Sequence, residues 1–277
     1  MCIRDSAHPA AHIRCYLNSP SPAVTRVLLD GSPYLDEIVL VPYSRPLAAE
    51  TAEAIRAWSD DGAFYDLDLF HDGACRLLES IHPEIPFDPY PEIRLTDEAE
   101  RWAEALAAET RSGDGMLIGF HLHGVDGRTA REDPHQYKEW GKARWQRLAD
   151  MLGERFACRI VLFGGPQDDW DVPQGPHVHS LIGRTTIAQT LALLRRLDVL
   201  VAVDSGLKSC GLIFGVPTVM LWDKRWKNAN PKECWFPAYY QRLEGNAIVS
   251  IKSSAEDVFA HVEKRLASKE DYETART

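Results

Sequence analysis

The hydrophobic pattern of this chain is most regular between residues 198 and 222, DVLVAVDSGLKSCGLIFGVPTVMLW. Two apolar runs, 199–203 and the one after Gly215-Val216-Pro217, show little alternation, the pattern of parallel strands covered on both faces. Between them the polar turn Asp204-Ser205-Gly206 opens a short helix. Upstream, the pattern predicts a strand at 116–122, an amphipathic helix at 142–154 and a strand at 159–163 ending in Gly164-Gly165-Pro166. A short strand at 177–181 and a helix at 185–197 follow. Downstream come a strand at 247–251 and a helix at 254–267. Strands separated by helices at this spacing predict a parallel sheet and an α/β fold.

The first third is less regular. Strands are expected at 12–17 and 37–41, with a helical or irregular stretch at 22–29 and the turn Asp30-Gly31-Ser32-Pro33 between them. A helix at 47–60 and a strand at 64–69 precede a loop at 83–91, which carries four prolines. A helix at 97–110 is expected to be capped by Thr96, with Glu98 and Glu100 in its first turn. The polar run Arg111-Ser112-Gly113-Asp114-Gly115 reads as a flexible join. The expected organisation is therefore a first domain at 7–112, a second at 113–267 and a polar tail at 268–277.

Composition narrows the class. A net charge of −10 over 277 residues, with no basic stripe interleaved with aromatics, argues against nucleic acid as the main partner. No window approaches the ~18–20 apolar residues of a membrane span. The first residues given carry no basic-then-apolar signal-peptide pattern. The six cysteines form no C-x-x-C pair and read as reduced thiols rather than a zinc site. A cytoplasmic protein is expected, with at most peripheral contact at the inner face of the membrane. Met1 to Ser6, MCIRDS, resembles translated adapter sequence, so the native start is expected upstream of Ala7; the alternative is an ordinary disordered terminus.

The chemistry concentrates at the Asp204-Ser205-Gly206 turn. A small hydroxyl residue and a glycine at the carboxyl end of a strand, with a helix opening behind them, leave free N–H groups suited to nucleotide phosphates. The same serine as a hydrolase nucleophile would need a G-x-S-x-G elbow, which is absent. His121 and His123 end a strand and project to one face. They could form half a metal site, but no third ligand follows at a recognisable spacing, so no metal is expected. His177 and His179 repeat the pattern on what reads as an exposed edge. The loop from Trp222 to Trp235, with Lys224, Arg225, Lys227 and Lys232, is either a contact for an anionic acceptor or a solvated loop.

Taken in order, Lys138-Glu139-Trp140 with Trp145, Val161 through Pro166, Leu181 through Thr186, Asp204-Ser205-Gly206 and Gly215-Val216-Pro217 resemble glycosyltransferase family 9, the ADP-heptose:lipopolysaccharide heptosyltransferases and their relatives. The likeness is good over about residues 118–222 and looser over 12–41, where Gly31 to Ile38 resembles the first-domain turn and strand of the family. It implies a GT-B architecture: two Rossmann-like domains with parallel sheets, the first incomplete here, facing across a cleft.

The resemblance also implies roles. Lys138 contacts the donor phosphates, and Ser205 and Gly206 close over them with Asp204 orienting the turn. Gly165, Gln167, Asp168, Gly183 and Thr185 lie toward the nucleoside, and His121 and His123 line the cleft. Ser209 stands where the family has a histidine; either Lys208 supplies charge to the phosphates in its place, or the donor specificity differs. The family's catalytic aspartate belongs to the first βα unit, so the general base is expected upstream of this chain. The implied reaction is metal-independent, inverting transfer of a heptose or related sugar from a nucleotide-sugar donor, ADP-linked, to a glycan or lipid-linked glycan acceptor, with no cofactor. The alternatives are a non-catalytic nucleotide-sugar-binding module that kept the fold, and a GT-B sugar-nucleotide epimerase.

Overall fold

The computed structural model describes residues 14–17, 26–27, 29–31, 35–42, 48–51, 53, 93–111, 115–124, 139–169, 171–222 and 245–274. The expected strand at 64–69, the proline-rich loop at 83–91, Lys138 and the basic aromatic loop after Trp222 lie outside them. The chain divides into two compact units, Met1–Leu95 and Thr96–Thr277.

In the first unit, β1 (Arg14–Leu17) and β2 (Glu37–Leu40) pair in parallel, with Arg14 opposite Glu37 and Leu17 opposite Leu40. In the second unit the order is α1 (Asp97–Thr110), β3 (Met116–His121), α2 (Lys142–Arg155), β4 (Cys158–Phe163), a 3-10 turn (Pro166–Asp168), β5 (Val178–Ser180), α3 (Ile187–Leu194), β6 (Val199–Val203), α4 (Gly206–Ile213), β7 (Thr218–Trp222), β8 (Ala247–Ser250) and α5 (Ala255–Thr274). Helix α5 extends to Thr274, through most of the stretch expected as a polar tail.

These six strands form one parallel sheet in the order β5-β4-β3-β6-β7-β8. Every residue of β6 is buried, which is why its apolar run does not alternate. On one face Ile118, Phe120, Ile160, Leu162, Val201 and Val203 join the core with Trp145, Leu148 and Leu152 of α2 and Val258, Val262 and Leu266 of α5. On the other face α4 comes close to the sheet because it carries Gly211, where a Cβ would stand 2.7 Å from Leu200 Cδ2.

Helix α1 falls in the second unit, whereas the sequence places it in the first domain ahead of the join at 111–115. The reason is long-range. Glu100 accepts from Arg195 at 3.0 Å and Arg196 at 2.8 Å, and Arg111 Nη2 donates to the Arg196 carbonyl at 2.8 Å. These contacts hold α1 to α3 and its following turn. The expected Thr96 cap is present, its hydroxyl accepting from Ala99 N at 3.3 Å.

Candidate functional site

The sheet grows outward from β3 through β4 to β5, then the chain returns to β6 on the opposite side of β3. The connections after β3 and β6 therefore diverge and open a crevice at the carboxyl ends of these two strands. In open α/β sheets this reversal point is where ligands bind. His121, the last residue of β3, pairs in register with Ala202, two residues before Asp204. His121 and His123 thus border the same crevice as the Asp204-Ser205-Gly206 turn.

The turn on the β6 side is built as a helix entry. Ser205 is extended (φ −158°, ψ 167°), and its Oγ accepts from Lys208 N at 3.3 Å. That cap satisfies one early amide of α4 and leaves those of Gly206 and Leu207 leading the helix. A Cβ placed on Gly206 would meet nothing within 4 Å, so a ligand can approach its backbone. Partial positive charge and open amides together suit an oxyanion.

Lys208, expected from the sequence to face the phosphates, is buried. Its side chain is 1% exposed and its Nζ lies 3.4 Å from Asp204 Oδ1, itself on a side chain 8% exposed. The ammonium is thus buried and paired with Asp204. The i,i+4 spacing of the two residues was the available signal for this pairing. Ser209, partly buried and uncharged, supplies no replacement for the absent histidine.

On the β4 side, two turns meet backbone to backbone. Asp168 Oδ2 accepts from Gly165 N at 2.7 Å, and Asp168 N donates to the Gly165 carbonyl at 3.0 Å, closing the 3-10 turn. Gly183 N donates to the Gly164 carbonyl at 3.0 Å. Gly183 has φ +67°, and a Cβ there would stand 2.9 Å from Pro166 Cα. Gly165, Gln167, Asp168, Gly183 and Thr185 are therefore brought to one end of the sheet. Gly165, Gln167 and Gly183 are exposed, whereas the Thr185 hydroxyl shares a 2.8 Å hydrogen bond with Thr190.

The Lys-x-Trp segment is anchored by its aromatic residue. Trp140 is buried, its Nε1 donates to the Ser253 carbonyl at 2.9 Å, and its ring meets Trp145 edge-on at 4.9 Å. Beside it, a water-sized cavity of about 20 Å³ is lined by His123, Glu139, Trp140 and Asp171, among others. Burial and the Asp171 carboxylate raise the pKa of Glu139.

Burial, and next the neighbouring His123, lowers the pKa of His121 to about 4. It is neutral at pH 7, and its Nδ1 is buried with no partner among the described residues. Among the described residues no group of three His, Cys, Asp or Glu side chains could hold a metal. His177 immediately precedes the edge strand β5 and His179 lies within it. His179 is exposed, while the His177 ring packs where a Cβ on Gly153 would lie.

A larger cavity, about 310 Å³, lies in the first unit beside β2, lined by Arg26, Asp30, Asp36 and Glu37 among others. Its acidic lining is ill suited to a diphosphate. No helix among the described residues is long and apolar enough to cross a membrane.

Residues 128–225 match glycosyltransferase family 9 (heptosyltransferase). This is the family that the Lys-x-Trp, Gly-Gly-Pro and Asp-Ser-Gly motifs resemble. No curated protein sequence matches the chain significantly. In fold the chain is similar to a family 9 glycosyl transferase from Veillonella parvula DSM 2008, at 17% identity and TM-score 0.66 over 94% of this chain and 89% of that one. It is also similar to the E. coli ADP-heptose lps heptosyltransferase II, at 15% identity and TM-score 0.63 over 95% and 91% of the two chains. The fold is the α/β fold of GT-B heptosyltransferase structures.

Proposed function

We propose that this chain, which carries a family 9 segment on a heptosyltransferase fold, is a glycosyltransferase whose second unit binds a nucleotide-sugar donor. The observation that carries the reading is the open helix entry at Ser205 and Gly206, on one side of the crevice between β3 and β6. Backbone amides there would receive the diphosphate. Lys138 would add a mobile cation, and the meeting turns at Gly164–Asp168 and 183–185 would receive the nucleoside. Positive charge at this position stabilises the charge that develops on a departing nucleoside diphosphate.

The donor is an ADP-linked heptose or related sugar, in keeping with the ADP-heptose named for the E. coli protein of similar fold. The acceptor is a glycan or lipid-linked glycan met at the inner face of the cytoplasmic membrane, and transfer is inverting and metal-independent. A general base within hydrogen-bond reach of the acceptor hydroxyl removes its proton.

Calorimetric titration of the folded protein with ADP and with UDP tests the donor site. Binding of ADP in preference to UDP is the expected result, and binding of neither removes the assignment. One observation favours a second reading, a non-catalytic nucleotide-sugar-binding module: Ser209 is uncharged and Lys208 is buried, so the turn offers no charged side chain of its own to the leaving group. Release of ADP from ADP-heptose in the presence of a glycan acceptor separates the two. A transferase releases it; a module binds donor without turnover.

A further inference from the structure

We propose that His121 is a ligand-binding residue, presenting Nε2–H from the β3 side of the crevice to an acceptor oxygen of the bound nucleotide. The inference rests on the donor-site reading above and deepens it. Its ground is an asymmetry between the two ring nitrogens. Nδ1 is buried and has no hydrogen-bond partner among the described residues. Nε2 has none among them either, yet it is not a buried atom, and the residue as a whole is partly exposed.

The sheet explains the buried nitrogen. His121 lies opposite Phe163 of β4 and Ala202 of β6, and neither offers a polar side chain. Gly119, two residues earlier and so on the same face, would bring a Cβ to 3.1 Å from Phe163 Cε2, which places His121 on the face where that ring packs. The same two neighbours lead into the turns of the site. Phe163 is followed by Gly164-Gly165, and Ala202, one residue further on, by Asp204-Ser205-Gly206. The imidazole therefore stands at a strand end between the turn assigned to the nucleoside and the turn assigned to the phosphates. An apolar side chain would pack here without the cost of a buried, partnerless nitrogen.

Chemistry then selects the place of the proton. With its pKa lowered to about 4 by burial and next by His123, the ring is uncharged at pH 7 and carries one N–H. A proton on Nδ1 would bury an N–H that has no acceptor, the rarer and costlier arrangement. A proton on Nε2 is open to solvent or ligand. The tautomer that the packing favours is thus the one that turns a donor outward. Such a donor adds a hydrogen bond to an anionic ligand, alongside the amides of Gly206 and Leu207, without adding a charge of its own.

The test is a substitution series read by ADP affinity, with thermal melts on the same samples. Glutamine can place its amide nitrogen near the position of Nε2, whereas asparagine reaches only as far as Nδ1. His121→Gln should bind ADP within about threefold of wild type and His121→Leu roughly tenfold more weakly, the loss of one hydrogen bond to a charged group. His121→Asn should fall with His121→Leu. A side chain that merely packs would let His121→Leu bind like wild type, or would give losses that follow stability rather than reach; either result overturns the inference.

If His121→Leu or His121→Asn fails to fold, the wild-type protein decides. Nitrogen-15 spectra of the imidazole should show His121 protonated at Nε2 at pH 7, with the Nε2 signal moving when ADP binds. A proton on Nδ1, or an Nε2 signal unmoved at saturating ADP, overturns the inference. A folded wild type that binds neither ADP nor UDP removes the donor-site reading and this inference with it. Wild-type ADP binding with His121→Leu equal to wild type removes this inference alone.

Discussion

Gly183 and Pro166 touch backbone to backbone. A Cβ on Gly183 would stand 2.9 Å from Pro166 Cα, and Gly183 holds a left-handed φ of +67°. The contact joins the turn after β4 to the turn after β5 and gives that end of the sheet its shape. Gly183→Ala combines backbone strain with a clash against main chain that cannot rotate away. It should cost about 2 kcal/mol, read as a lower denaturant midpoint with an unchanged m-value. Nucleotide affinity should fall with it, because the two turns must part.

Asp198 ties α1 and β3 to the start of β6. Its Oδ2 accepts from Leu117 N at 2.7 Å and lies 3.2 Å from Arg111 Nη2, with the carboxylate side chain 3% exposed. Asp198→Ala leaves a buried amide and a half-buried guanidinium without this acceptor and should cost about 3 kcal/mol. Asp198→Asn keeps an acceptor for Leu117 and should cost clearly less. Equal losses for the two substitutions would mean that the amide bond is not what matters.

His121 makes stability depend on pH. Its folded pKa, lowered to about 4 by burial and by His123, lies below the ordinary histidine value of 6.5, so the unfolded chain binds the proton more readily. The contribution is present above pH 6.5 and is lost as pH falls toward 4, amounting to about 3 kcal/mol across the window. His121→Phe should flatten the stability curve between these limits relative to wild type. An unchanged slope in chemical denaturation at several pH values would show that His121 titrates normally.

Two substitutions probe the phosphate end separately. Ser205→Ala removes the cap on Lys208 N and should cost about 1 kcal/mol of stability as well as ADP affinity. Lys138→Ala should leave stability within about 0.5 kcal/mol of wild type if the residue serves only the ligand. It should weaken ADP binding by about 1–2 kcal/mol if the lysine makes a charged hydrogen bond to phosphate. Calorimetry and thermal melts on the same samples separate the two effects.

Much of the second unit was legible from the chain because its signals are local. Strand β6 matches its predicted span at Val199–Val203, and α1 matches at Asp97–Thr110. Uninterrupted apolar runs and a capping threonine act over a few residues, so their meaning survives without knowledge of the fold. The Asp204-Ser205-Gly206 turn was legible for the same reason, since strand end, cap and helix start are consecutive. Boundaries of β5 and α3 came out shorter than their patterns, at Val178–Ser180 and Ile187–Leu194. Pairing and capping by Thr186, rather than hydrophobicity, end those elements.

By itself, then, the sequence determined the alternation of strands and helices, the helix entry at Ser205, and the order of motifs that resemble family 9. Each depends on neighbours along the chain. Only the tertiary structure decided that β3 and β6 lie side by side with the crevice between them, that Glu100 holds α1 to the second unit through Arg195 and Arg196, and that Lys208 is buried beside Asp204. Strand order and helix docking depend on residues distant in sequence, and the direction of a long charged side chain depends on which partner the packed core leaves within reach. The hydrophobic pattern records that such partners are needed, but not which ones meet.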